Sequence, residues 1–225
     1  METLDPRYET ELLEFSLGGI SFSLVRVTNT DALYADLVAK GPGHEDVLDE
    51  RIPYWADLWP SALALAETVR THQAIKPGIE VLELGCGLGL PGIVAGKKGA
   101  KVVLTDYMGE PLQFARHNWK LNMDSEPELS LLDWRKPEGT APCDVLLASD
   151  IAYEKRAFEY LPHAFRNLVK PGGLILLSEP CRMLAASFFD KLPGLGFCIE
   201  RTAHTVSLNQ RKYDVNVYEI RENSG

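Results

Sequence analysis

VLELGCGLGLPG, residues 81–92, is a short apolar run that opens into a loop with glycine at alternate positions, Gly85, Gly87 and Gly89. It reads as a strand that delivers its main chain into a turn where backbone can approach a ligand closely. From there the chain alternates strand-like and helix-like runs: EVLEL, PGIVAGKKG, VVLTD, PLQFARHNWKLN, LSLL, DVLLASD, KRAFEYLPHAFRNLVK and LILLSE. This alternation predicts a parallel sheet covered on both faces, with apolar strands at 81–84, 102–105, 145–148 and 174–177. GFCIERTAHTV and KYDVNVYEIRE have no helix between them and are expected to extend the sheet as an antiparallel pair.

Upstream, EFSLGGISFSLVRV, residues 14–27, alternates apolar and polar on both sides of Gly18-Gly19, the pattern of a β-hairpin. DALYADLVAK has a helical period, GPGHED reads as a loop, and SALALAETVRTH after Pro60 reads as an amphipathic helix with Ser61 near its start. The fold class expected is therefore α/β: a Rossmann-like, mostly parallel sheet preceded by a hairpin and helices.

With 225 residues and 45% hydrophobic content, the chain fits one large domain with a substantial core. Its net charge of −9 disfavours nucleic acid as a partner. The opening METLDPRYETELLEF has neither a secretory nor a transit pattern, and no apolar run reaches membrane-spanning length, so a cytoplasmic protein without a membrane partner is expected. Cys86, Cys143, Cys181 and Cys198 form no CxxC pair, and the five histidines show no ligand spacing, so reduced thiols and no metal site are expected.

Gly87 to Gly92 also matches GxGxxG, so a dinucleotide loop and a nicotinamide-dependent oxidoreductase are a competing reading. Against it, the first glycine of that pattern lies two residues too far past the strand. Asp106 ends the second strand, next to the glycine loop in a parallel sheet. There a carboxylate can accept both hydroxyls of a ribose, or alternatively cap the next helix.

LLDW, DVLLASDIAYE closing the fourth strand, and VKPGGLILLSEP, read as a turn and fifth strand, follow in order. Together with ELGCGLG and Asp106, this set resembles the class I, seven-strand methyltransferases that use S-adenosylmethionine, over residues 53–220. IPYWADLWPSALALA, SDIAYE and SEPCR narrow the resemblance to the METTL21-type protein lysine methyltransferases and the lysine methyltransferase of the electron-transfer flavoprotein β subunit. The signature after strand four is D-x-x-Y, Asp150 to Tyr153; the N-P-P-Y of enzymes acting on planar nitrogens is absent.

The resemblance implies one methyltransferase domain over 1–225, with 1–52 as an extension and 53–225 as catalytic core. It implies a donor site of Gly85, Cys86, Gly87 and Gly89, with Glu83 orienting the donor ammonium and Asp106 on the ribose. Trp59 would pack on the donor, Asp133 and Trp134 would meet its adenine, and the Ser149 backbone would touch it. Tyr107 either flanks the adenine or is a surface aromatic. Asp150 and Tyr153 are the catalytic candidates toward an accessible lysine on a protein, and Glu179, Pro180 and Arg182 would shape the acceptor mouth. Cys86 has no activating histidine beside it and is given no nucleophilic role. An amine or pyridine nitrogen of a small molecule, and a non-catalytic binding module, are the other readings.

Overall fold

The structure, a computed structural model, describes residues 4–223; the outer limits of the expected domain, residues 1 and 225, lie outside them. The hairpin strands are β1 (Thr10–Leu17) and β2 (Ile20–Val27), followed by α1 (Thr30–Ala39), α2 (Glu45–Leu48), a 3₁₀ turn at Tyr54–Ala56 and α3 (Pro60–Thr71). The core then runs β3 (Glu80–Leu84), α4 (Leu90–Lys97), β4 (Lys101–Asp106), α5 (Gly109–Asn122), β5 (Glu128–Leu131), β6 (Cys143–Ser149), α6 (Ala157–Leu168), β7 (Val169–Glu179), α7 (Met183–Phe189), β8 (Phe197–Leu208) and β9 (Arg211–Glu222).

One seven-stranded sheet has the order β5-β4-β3-β6-β7-β9-β8. β3 to β7 are parallel, and β9 joins β7 antiparallel with β8 outside it. The chain reverses its direction of growth between β3 and β6, which opens a crevice beyond the strands' carboxyl ends. Strand alternation divides the core into two layers. Val81, Leu104, Leu147 and Leu176 face α3, α4, α5 and the hairpin, while Leu82, Leu84, Leu146 and Ile175 face α6 and α7.

The hairpin turns at Gly18-Gly19, with Leu17 opposite Ile20. It docks on α5 through Phe22 and Leu24, both buried. Asn118 and Asn122, one helical turn apart on α5, take up the open edge of β2. Asn118 accepts from Val25 N at 2.7 Å and donates to Val25 O at 3.2 Å, and Asn122 does the same for Ser23 at 3.1 and 2.7 Å. Edge groups that would otherwise be left to water are thus paired by side chains.

Two expectations need correction. GPGHED is not all loop: His44 Nδ1 accepts from Asp46 N at 3.2 Å and caps the short α2. Ser61 is the second residue of α3, near its start as expected; its Oγ is buried without a partner, while its carbonyl accepts from Ser178 Oγ at 2.8 Å. KPGG is not a turn ahead of the strand but part of β7, and α7 has no counterpart among the expected elements.

Candidate active site

The crevice holds a cavity of about 520 Å³ lined by the glycine loop, the ends of β4 and β6, and the segment 49–59. Gly85 and Gly87 have φ of +65° and +51°. A Cβ at Gly85 would lie 3.2 Å from Ile151 and 3.4 Å from Trp134, and one at Gly87 would lie 3.4 Å from the Trp55 carbonyl. The backbone conformation of both favours glycine, reinforced at Gly85 by the tight approach of Ile151, and the loop forms a main-chain cup.

Glu83 does not line this cavity. It is fully buried below the cup, where Oε2 accepts from Gly92 N at 2.8 Å and Oε1 has no partner. Burial drives its carboxyl up to about 8, against the opposing pull of the Gly92 N–H. Glu83, expected to orient a ligand ammonium directly or through water, anchors the first turn of α4 instead of reaching the cavity wall. Gly92 itself lies within that helix, where a Cβ would meet Leu104 at 2.3 Å, so its lack of a side chain lets α4 pack closely on the sheet.

Asp106 lines the cavity beside the cup. Its Oδ2 accepts from Gly87 N at 3.0 Å and its Oδ1 meets Met108 N at only 3.4 Å. Burial raises this carboxyl to about 6, with the backbone N–H groups opposing. Burial also pushes the Cys86 thiol well above its ordinary value, as expected of a residue with no nucleophilic part.

Trp134 lines the same space, but both oxygens of Asp133 are occupied by the Arg135 guanidinium, at 2.8 and 3.0 Å from Nε. Tyr107 is neither a free surface aromatic nor an open stacking face. Its hydroxyl donates to Asp49 at 2.5 Å, and the guanidiniums of Arg51 and Arg135 stand 5.1 and 4.9 Å from its ring centre. Asp49 also accepts from Arg135 Nη1 at 3.1 Å, and Arg156 donates to the Asp49 carbonyl at 3.2 Å. The segment around α2 is thereby strapped over the cavity. Asp49, Arg51, Arg135 and Arg156 belong to no motif, and nothing in the sequence singles them out.

At the other end, Trp59 Nε1 donates to the Tyr54 carbonyl at 2.6 Å, and the Tyr54 ring stands edge-on to both Trp59 (6.2 Å) and Tyr153 (5.7 Å). Burial raises the Tyr153 phenol to about 12, so it stays protonated. Asp150 is held by its N–H on the Ser178 carbonyl at 2.8 Å and has φ of +57°, uncommon for a residue with a side chain. Ser149, Asp150, Tyr153 and Arg182 all line the cavity. Arg182 grips Asp150 with two nitrogens, Nη1 on Oδ1 and Nη2 on Oδ2 at 3.1 Å. Glu179 is turned inward and accepts from Arg182 N at 2.8 Å and Asn216 Nδ2 at 3.2 Å; neither it nor Pro180 lines the cavity.

A family model described as "Lysine methyltransferase" matches residues 54–193, well over half of the chain. The chain belongs to the lysine methyltransferase family. Mouse protein-lysine methyltransferase METTL21E is 31% identical over 184 residues, covering 76% of this chain and 75% of that protein. Mouse histone-arginine methyltransferase METTL23 is 36% identical over 129 residues, covering 52% of this chain, and the chain spans about half, 51%, of that relative's length. Among solved structures, magnesium protoporphyrin IX methyltransferase from Synechocystis with bound SAM superposes with a TM-score of 0.56 at 19% identity, over 87% of this chain and 92% of that one. That likeness establishes the Rossmann-like methyltransferase fold.

The family implies S-adenosylmethionine as cofactor, and the residues present suit it. A Cβ-free cup provides main-chain approach, Asp106 offers a carboxylate with capacity left on Oδ1, and Trp134 presents an aromatic ring at the cavity wall. The family match leaves the nicotinamide-dependent oxidoreductase reading without support.

Proposed function

We propose that this protein is a protein-lysine N-methyltransferase that works in the cytoplasm, carried by one domain over residues 1–225 with 53–225 as its catalytic core. The observation that supports this best is that Asp150 and Tyr153 face the same cavity as the glycine cup and Asp106, so donor and acceptor groups share one enclosed space. S-adenosylmethionine supplies an electrophilic methyl on a sulfonium. In this reading Gly85, Cys86, Gly87 and Gly89 cradle the donor with their backbone, Asp106 takes the ribose hydroxyls, and Trp134 and Ser149 bound the adenine side. Trp59 covers the donor's apolar parts, Tyr107 closes the adenine end from within the strap, and Asp133 acts there through Arg135.

The acceptor amine must arrive deprotonated, because its pKa near 10.4 leaves it an ammonium in water. A carboxylate is too weak a base for that step, so Asp150 orients the nitrogen while water takes the proton, and Tyr153 with Tyr54 walls the channel. The transfer forms N–C as S–C breaks, with the S–C electron pair leaving on sulfur. Asp150→Ala should lower kcat by about 10²-fold or more while the affinity for S-adenosylhomocysteine, by calorimetry, changes little. An unaltered kcat would remove Asp150 from the reaction. Comparison of the host proteome with and without the gene, by mass spectrometry of methyl marks, identifies the acceptor; label found only in metabolites would favour the small-molecule alternative.

One observation favours a second reading. The Arg182 guanidinium sits on Asp150 in the acceptor mouth, so a guanidinium fits there, and METTL23 is named a histone-arginine methyltransferase. Methylarginine in the same comparison would select it.

A further inference from the structure

The Asp150–Arg182 pair bears on which acceptor can enter. It rests on the lysine reading above, and it concerns the surroundings of the lysine rather than the lysine itself. Asp150 and Arg182 close the carboxyl ends of neighbouring strands, β6 and β7. Asp150 and the preceding neighbour of Arg182, Cys181, both adopt φ of +57°. Backbone strain at two adjacent strand ends is kept where the surrounding structure imposes it, and here it brings carboxylate and guanidinium face to face. Both oxygens of Asp150 are engaged by both terminal nitrogens of Arg182. Only 12% of the Asp150 side chain is exposed and 36% of that of Arg182.

An amine that uses Asp150 competes with Arg182 for these oxygens, and each acceptor site it takes loosens the guanidinium's hold on the acid. A half-buried guanidinium without a counter-charge is unfavourable. Nothing nearby replaces that acid. Glu179 is buried and committed to Arg182 N and Asn216. Of the other acids lining the cavity, Asp106 accepts from Gly87 N and is assigned to the donor ribose, Asp49 and Asp133 hold Arg135, Glu50 and Glu154 hold Arg156, and Asp57 holds Arg26. An acceptor that brings an anion along with its amine restores to Arg182 the charge partner that the amine competes for.

We propose that the acceptor lysine has an aspartate or glutamate beside it, and that Arg182 is the residue that selects it by passing from Asp150 to that carboxylate. The net charge of −9 repels a strongly acidic surface at long range. The anion is therefore a single side chain next to the lysine rather than an acidic tract.

The test uses nine-residue peptides of neutral residues around a central lysine, with Glu, Gln or Lys at each of the two positions on either side, plus free lysine as a control for a small zwitterion. Methyl transfer is measured with the wild-type protein, Arg182→Gln and Arg182→Glu. The wild type should favour the best Glu peptide over its Gln counterpart by about tenfold in kcat/KM, the scale of one charge-assisted hydrogen bond. R182Q should abolish that preference, and R182E should invert it toward Lys-flanked peptides. S-adenosylhomocysteine affinity within a few-fold of wild type establishes that a variant is folded; where R182E fails this check, R182Q decides alone. Equal rates on Glu and Gln peptides, an unchanged preference in R182Q, or free lysine surpassing every peptide overturns this proposal while leaving methyl transfer to lysine nitrogen in place. Transfer to no lysine at all overturns the lysine reading and this proposal together.

Discussion

Burial sets Asp106 and Glu83, carboxylates on adjacent strands, to different tasks. Asp106 faces the cavity with a pKa raised to about 6. Ribose hydroxyls bind the ionised form, so donor affinity should be full above pH 6 and fall as the pH drops through that value, by about tenfold per unit well below it. Calorimetry with S-adenosylhomocysteine between pH 5 and 7.5 checks this, and Asp106→Asn should bind about 10–100-fold more weakly with a flat profile. Glu83 is buried outside the cavity lining, and its effect belongs to folding. Its folded pKa of about 8 lies above the 4.5 of an ordinary carboxyl, so the native state keeps a proton that the unfolded chain has released between those values. Stability from this group is therefore full below about pH 4.5 and declines toward pH 8, on the order of 1.4 kcal/mol per unit. Glu83→Gln should flatten that decline, so that melting temperatures of variant and wild type diverge, in the variant's favour, between pH 5.5 and 8.5. Parallel curves would mean that Glu83 is not the group responsible.

At the scale of elements, α5 does more than cover the sheet. Asn118, fully buried, ties Val25 of β2 by two bonds and donates to the Leu88 carbonyl in the glycine loop at 3.1 Å. Asn118→Ala should cost about 2–4 kcal/mol, expose the β2 amides to hydrogen exchange, and weaken S-adenosylhomocysteine binding by loosening the loop. Protected β2 amides in the variant would show that the hairpin docks by its apolar face alone. This link also marks the limit of what could be read in advance. Strands and helices from 80 onward, α7 excepted, were legible because their apolar periods are local, and the ordered motifs pointed to Gly85, Asp106, Trp134 and Asp150, which line one cavity. The reach of Asn118 to strand and loop, and the strap of Asp49, Arg51 and Arg135 around Tyr107, depend on pairs separated by up to 93 residues and on no spacing rule. Glu83 was misplaced toward the ligand for a related reason. Its partner, the Gly92 N–H, becomes visible only once α4 is seen to start over β3.

For the whole molecule, the cavity lies across the sheet's carboxyl edge, and its two halves lean mainly on different packing layers, with Trp134 and Ile151 of the second layer also meeting the donor cup. The donor floor, Gly85 to Leu90 with Asp106, rests on the layer of α4, α5 and the hairpin. The acceptor rim is set by the other layer, because Asp150 and Tyr153 lead into α6, and Arg182 leads into α7. In that layer Phe165 of α6 meets Phe188 of α7 at 6.5 Å and Phe197 at 6.2 Å, so it fixes the two helices that carry the rim. Leu24, fully buried against α5, holds the hairpin that Asn118 couples to the cup. Leu24→Ala and Phe165→Ala should each cost about 3 kcal/mol, as buried truncations of this size do. Equal cost should nonetheless have unequal consequence. Leu24→Ala should weaken S-adenosylhomocysteine binding about three- to tenfold, through the same coupling whose bonds each contribute about 1 kcal/mol, with turnover at saturating donor preserved. Phe165→Ala should leave donor affinity within about twofold and instead raise the acceptor KM or lower kcat, because a shift of about 1 Å at the rim misaligns the nitrogen. Calorimetry and initial rates on the two variants, measured well below their melting temperatures, separate these effects. If both variants lose donor affinity alike, the layers act as one block, and the division of the site between the two faces of the sheet does not hold.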